Sequence, residues 1–125
     1  MNKVLVIEQD ADTRSALTDL LAADGYAPVA VSGTEEAMEY LTRDEPPCMV
    51  LLDLGERDGA VAFLQWLRDH EELRHLRVAV MSGWHRTERR LADFGESISR
   101  VMKKPFDMGE LMGVVAQHCG PTARN

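Results

Sequence analysis

The chain has 125 residues, 45% of them hydrophobic and 28% charged, with a net charge of −7. A single domain of this size buries a real core. The acidic balance argues against non-specific binding to nucleic acid or anionic membrane, which need basic surface, and no apolar stretch approaches membrane-spanning length.

The first apolar run, Val4-Leu5-Val6-Ile7, predicts a strand from Lys3 to Ile7 that ends at Glu8-Gln9. One Lys and a short run broken by Glu8 are too short for a signal peptide. A helix follows, with Asp12 expected as its N-cap, Ala16, Leu17, Leu20 and Leu21 on one face, and Gly25 at its end. A short second strand is expected from Ala27 to Val31. Thr34 is expected to cap a second helix with Ala37, Met38 and Leu41 on one face, stopped by Pro46-Pro47. The third strand, Cys48 to Asp53, is apolar until its last residue, which marks a central strand buried on both faces. The loop from Leu54 to Gly59 leads to a third helix bearing Val61, Phe63, Leu64, Trp66 and Leu67. Val78 to Met81 is the fourth strand and meets Ser82. A weakly patterned fourth helix is expected around Thr87 to Phe94. Arg100 to Lys103 is the fifth strand and runs into Lys104-Pro105-Phe106. The last helix shows Met108, Leu111, Met112, Val115 and His118.

Strict alternation of strand and helix predicts an α/β fold: a doubly wound, five-stranded parallel sheet in order 2-1-3-4-5, helices on both faces, flavodoxin-like. The domain is expected over residues 1–120, with a frayed tail at 121–125. Cys48 and Cys119 do not make a disulfide framework and are expected as reduced thiols, which fits a cytoplasmic protein. The methionines are expected in core or edge packing, and His70, His75 and His118 at helix ends or on the surface.

In such a sheet the carboxyl ends of the strands line one crevice. Glu8, Asp53, Ser82 and Lys104 should therefore converge. An Asp can act as nucleophile and form an acyl phosphate. Its donor is anionic, so Mg²⁺ is expected there, held by Glu8, Asp53 and a backbone carbonyl at Gly55. Lys104 can pair with one phosphoryl oxygen and Ser82 can donate to another. Pro105 helps fix the turn that aims Lys104.

Over essentially its whole length the chain resembles the receiver domain of bacterial response regulators. The resemblance rests on Val-Leu-Val-Ile-Glu-Gln-Asp-Ala-Asp-Thr-Arg, Val-Leu-Leu-Asp-Leu, Val-Met-Ser-Gly and, most specific, Lys-Lys-Pro-Phe-Asp, in that order. It implies a phosphorelay module in which Asp53 is the phosphoacceptor, Ser82 and Lys104 contact the phosphoryl group, and Glu8 belongs to the metal site. It also implies a histidine kinase or phosphotransfer protein as donor and a downstream protein as target. Any catalysis would be phosphoryl transfer onto its own Asp53. With 125 residues there is no room for a DNA-binding or enzymatic output domain, so a stand-alone receiver is expected.

Three departures from the pattern bear on function. The second acidic residue of the family is Gln9 here, a neutral group where Mg²⁺ prefers carboxylate, so weaker metal binding is expected. The loop after Asp53 looks short and lacks the usual Pro. The switch position, usually aromatic, is Val101, which calls for another readout, such as the helix-four region. Trp84 with Arg86, Arg89 and Arg90 has the composition of a protein-interface hot spot, or of an aromatic packed over a thin helix and solvated by arginines. These departures keep open a pseudo-receiver that docks partners without phosphorylation. A flavodoxin-like cofactor binder would need a Gly-, Ser- or Thr-rich loop after strand one, where Glu8-Gln9-Asp10-Ala11-Asp12 repels phosphate. An aspartyl phosphatase would want an Asp where Gly55 stands.

Overall fold

The computed structural model describes residues 2–54, 57–82, 98–103 and 107–122. Its strands are β1 (Lys3–Ile7), β2 (Ala27–Val31), β3 (Met49–Asp53), β4 (Val78–Ser82) and β5 (Ile98–Lys103), all parallel, in the order β2-β1-β3-β4-β5. The described helices are α1 (Ala11–Ala23), α2 (Thr34–Arg43), α3 (Arg57–Asp69) and α4 (Met108–Cys119), with a short 3₁₀ turn at Glu71–Leu73. The helix expected around Thr87 to Phe94 lies outside the described residues.

The apolar runs behave as their patterning demands. Successive side chains along a strand point to opposite faces. Leu5, Ile7, Val50, Leu52, Val78 and Val80 therefore meet Ala37 and Leu41 of α2 and Phe63, Leu64 and Leu67 of α3. Val4, Val6, Met49, Leu51, Ala79 and Met81 meet Leu17 and Leu21 of α1 and Leu111, Val114 and Val115 of α4. Burying one such Leu or Val stabilises the fold by roughly 1.5–3 kcal/mol, so these two clusters supply most of the driving force. Along β5 the pairing slips between Val78 and Ala79, and Ser99 is the extra residue. Ile98 and Val101, three apart, thereby pack on the same cluster.

Each edge has its own device. On β2, Ala27 N–H donates to Asn2 O and the Val31 carbonyl accepts from Glu8 N–H, so the odd-numbered residues face β1. The nitrogen of Pro28, which carries no hydrogen, therefore lies on the outer side.

Helix ends depart from expectation by small steps. Asp10, not Asp12, caps α1: its carboxylate accepts from Thr13 N–H at 2.8 Å. The chain turns into the helix directly after β1, so the earlier acid holds the cap position and Asp12 falls in the first turn. Gly33 rather than Thr34 caps α2, and the Ser32 hydroxyl donates to the Glu36 carboxylate. Asp107 caps α4 by accepting from Glu110 N–H at 2.9 Å, and Glu110 pairs with Arg100 on β5. After α1, Gly25 takes φ +94°, and a Cβ there would stand 2.7 Å from Thr122 Oγ1. Only glycine suits both conditions.

The expectation of two separate reduced thiols is corrected. Cys48 and Cys119 are joined as a disulfide, with their Cα atoms 5.2 Å apart. The winding of the chain returns the C-terminal end of α4 to the N-terminal end of β3, and 71 residues of separation hide this in the sequence. Two hydrogen bonds flank the bridge: Tyr26 O–H donates to Gly120 O at 2.8 Å, and the Thr122 hydroxyl donates to Asp24 O.

Candidate functional site

Where β1 and β3 end, two carboxylates come together by register. Ile7 pairs with Leu52, so Glu8 and Asp53 are the next rung. Strand alternation sends both toward the face that carries Val4, Val6, Met49 and Leu51. Glu8 is only 1% exposed, while Asp53 is half-buried. A carboxylate buried so far must be hydrogen-bonded or neutralised. Asp10 N–H donates to Glu8 Oε2 at 3.2 Å, so the same residue that caps α1 steadies Glu8 through its backbone.

Ser82 ends β4 at 3% exposure and pairs in register with Lys103. Asp53 pairs with Met81, and Leu54 N–H donates to Met81 O at 3.0 Å. The ladder therefore runs one residue past Asp53 and fixes where the following loop departs. Glu8, Asp53 and Ser82 thus stand at the carboxyl ends of three neighbouring strands, as expected from their place after apolar runs. Val101 is half-buried on β5, paired with Val80 and packed on the α2–α3 side. Gly55, Lys104, Trp84, Arg86, Arg89 and Arg90 lie outside the described residues.

Gln9 is exposed. The neighbouring acid, Asp10, is engaged at the helix cap: its Oδ2 accepts from both Thr13 N–H and Thr13 O–H, at 2.8 and 2.7 Å. Among the described residues no three His, Cys, Asp or Glu side chains are grouped as a complete metal site. The donor set at the strand ends is nonetheless compatible with Mg²⁺, which takes one or two carboxylates and keeps several waters or phosphate oxygens. Glu8 and Asp53 are hard oxygen donors of that kind.

One residue at the site escaped the sequence reading. Arg14, in the first turns of α1, donates through Nη1 to Glu8 O at 2.9 Å and to Gln9 O at 3.3 Å. It ties the β1–α1 turn down through these two backbone carbonyls. Its only sequence signal is a basic residue six positions after Glu8, which amphipathic helices offer everywhere.

The histidines stand away from this site. His70 follows α3, packs against Trp66 in a tilted arrangement with ring centroids 4.3 Å apart, and has Nδ1 2.7 Å from Trp66 O. His118 lies near the opposite end of the sheet. Burial, and then the charge of Arg77, hold its imidazole below the ordinary value of 6.5.

Comparison with known proteins agrees with this geometry. The model of the response regulator receiver domain family matches residues 4–116. The response regulator protein FleR of Pseudomonas aeruginosa is 31% identical over 93% of this chain, which spans only 24% of that protein's length. The polar-differentiation response regulator DivK of Brucella ovis is 31% identical over 65% of this chain and 66% of its own. Among solved structures, a response regulator receiver protein from Pseudomonas putida superposes with a TM-score of 0.82 at 27% identity, covering 92% of this chain and 95% of that one. The receiver domain of a signal transduction histidine kinase from Syntrophus aciditrophicus gives 0.85 at 20% identity, covering 100% and 95%, a likeness of fold.

Proposed function

The chain belongs to the response regulator receiver domain family, a signalling module of two-component systems rather than a dedicated enzyme, and on that premise we propose that Asp53 is its phosphoacceptor. The observation that carries the reading is the rung formed by Glu8 and Asp53 at adjacent strand ends, with Ser82 ending the next strand. An Asp53 carboxylate oxygen attacks the phosphorus of a phosphohistidine on a histidine kinase or phosphotransfer protein. The P–N bond breaks, the electron pair stays on the histidine nitrogen, and an acyl phosphate forms on Asp53. Glu8, Asp53 and the Gly55 carbonyl would hold Mg²⁺, which supplies charge neutralisation when bound. Ser82 donates to one phosphoryl oxygen and Lys104 pairs with another. Gln9 weakens the metal site, so phosphorylation demands more Mg²⁺ than a site with an added carboxylate would.

Output passes by protein–protein contact in the cytoplasm, from a domain body that spans residues 1–120. Trp84, Arg86, Arg89 and Arg90 supply the partner surface. Val101, lacking an aromatic ring, leaves the readout to the segment after Ser82.

A second reading has its own support. Gln9 is exposed and neutral, and an Asp10 carboxylate oxygen is engaged in the α1 cap, which leaves Glu8 and Asp53 as the carboxylates at the strand ends. A pseudo-receiver that docks its partner without phosphorylation would look the same.

Beryllofluoride with Mg²⁺ separates the two readings. Amide shifts around Asp53, Ser82 and Lys104 that vanish in Asp53→Asn are expected of the phospho-switch. An intact spectrum that never responds would leave the docking module.

A further inference from the structure

We propose that Cys48 and Cys119 form a reversible dithiol–disulfide switch that clasps the end of α4 to the base of β3, operated by exchange with a low-molecular-weight thiol/disulfide couple. The inference rests on the opposite end of the sheet from Asp53 and stands without the phosphorylation reading.

Geometry makes the bond available. The Cα atoms are 5.2 Å apart, within the range that a disulfide spans without backbone movement. Both residues are half-buried at the rim of the α1–α4 cluster rather than inside it. A small thiol can reach such a pair, whereas a fully enclosed one is inert.

The reduced state is equally well provided for. The Cys48 sulfur lies 2.9 Å from the Lys3 carbonyl oxygen, so the thiol that reduction regenerates has an acceptor within reach. The hydrogen bonds Tyr26 to Gly120 and Thr122 to Asp24 do not involve sulfur. They tie the end of α4 to the α1–β2 turn when the covalent bond is open, which limits how far Cys119 can drift from Cys48.

The exchange balances as follows. One cysteine thiolate attacks a disulfide RSSR; the S–S bond breaks, RS⁻ leaves, and a mixed disulfide forms. The second cysteine thiolate attacks the protein sulfur of that mixed disulfide, and the second RS⁻ leaves. Two electrons pass from the protein to RSSR, and the two thiol protons end on the two RS⁻. Reduction runs the same steps backwards.

The test equilibrates the full chain over a series of reduced-to-oxidised glutathione ratios, quenches with acid and counts alkylatable thiols by mass. The expected result is a monomer that passes reversibly between two and no alkylatable thiols across the series. Amide exchange in the last turn of α4 should slow on the order of tenfold in the oxidised form. Cys48→Ser and Cys119→Ser, each alone, should lose the intramolecular bond and the slowing. Three outcomes would overturn the proposal: both thiols alkylated at every ratio, a bond that survives the most reducing ratio, or cross-linking between chains only. The wild-type chain carries the measurement, so a variant that fails to fold does not blunt it.

Discussion

The two ends of this sheet are built from the same strands and do opposite things. At the carboxyl ends, Glu8 and Ser82 are buried polar groups and Asp53 is half-buried beside them. Nothing there is chosen for packing, and a buried carboxylate is a burden to folding. At the amino ends, Cys48 is bonded to Cys119, Tyr26 to Gly120 and Thr122 to Asp24. All three join segments far apart in sequence. The chain thus concentrates chemistry at one end and cross-links at the other, a division open to any parallel sheet because its strand ends differ.

The largest effect expected is at the tied end. Closing a loop with a separation of 71 residues restricts the unfolded chain, and the chain-entropy relation gives about 4 kcal/mol. Urea unfolding of the oxidised and reduced chain should show a gap of that order, and equal midpoints would refute it. At the other end the largest change is in metal affinity. A carboxylate ~4 Å from a divalent ion is worth roughly 8 kcal/mol at an effective dielectric of about 20 and about 2 kcal/mol in a water-like one. Gln9 is exposed, so the lower figure decides. Gln9→Glu should tighten Mg²⁺ about thirtyfold, read by amide NMR titration; an unchanged midpoint would place position 9 away from the ion. Asp10→Ala removes the α1 cap and should lower stability by about 1 kcal/mol, while the parallel loss in Asp107→Ala leaves Mg²⁺ affinity untouched. Asp10→Ala keeps the backbone N–H that reaches Glu8, so Mg²⁺ affinity should hold there too; a selective loss would show that the cap itself fixes the β1–α1 turn. Tyr26→Phe should lose about 0.5–1.5 kcal/mol by the same unfolding assay.

The smallest effect is a pH dependence. Burial, then Arg77, depress the His118 imidazole in the folded chain, and its Nε2 finds no hydrogen-bond partner among the described residues. The folded state therefore binds fewer protons than the unfolded one. Stability should be full above pH 6.5 and fall as the pH drops below it toward the folded value. His118→Gln should flatten that slope in unfolding curves measured across the range.

The mouth of the sheet was far more legible in the sequence than its base. Glu8, Asp53 and Ser82 each follow an apolar run, and period-two patterning with short crossovers places such residues together without further information. β1 and β2 coincide with their predicted bounds, and the order β2-β1-β3-β4-β5 follows from the all-apolar β3. Cap positions slipped by one or two residues, because Asp10 and Asp12 are chemically equal candidates and only the chain's turn after Gln9 selects between them. The Cys48–Cys119 bond left no local signal. It depends on where α4 ends relative to β3, a sum of helix length and crossover geometry that no pair of residues encodes. Arg14 was missed for a related reason: its partners are backbone carbonyls, which every sequence has.

Pro28 has a consequence for the molecule in company. The outer side of β2 is the row to which another chain's strand could add, and parallel sheets grow in that way into aggregates. At Pro28, the second residue of the five in β2, that row lacks a donor, so an incoming strand would forfeit one of the two outward N–H bonds. In a crowded solution this one imino acid works as a terminator, and replacing it would turn a finished sheet into a template.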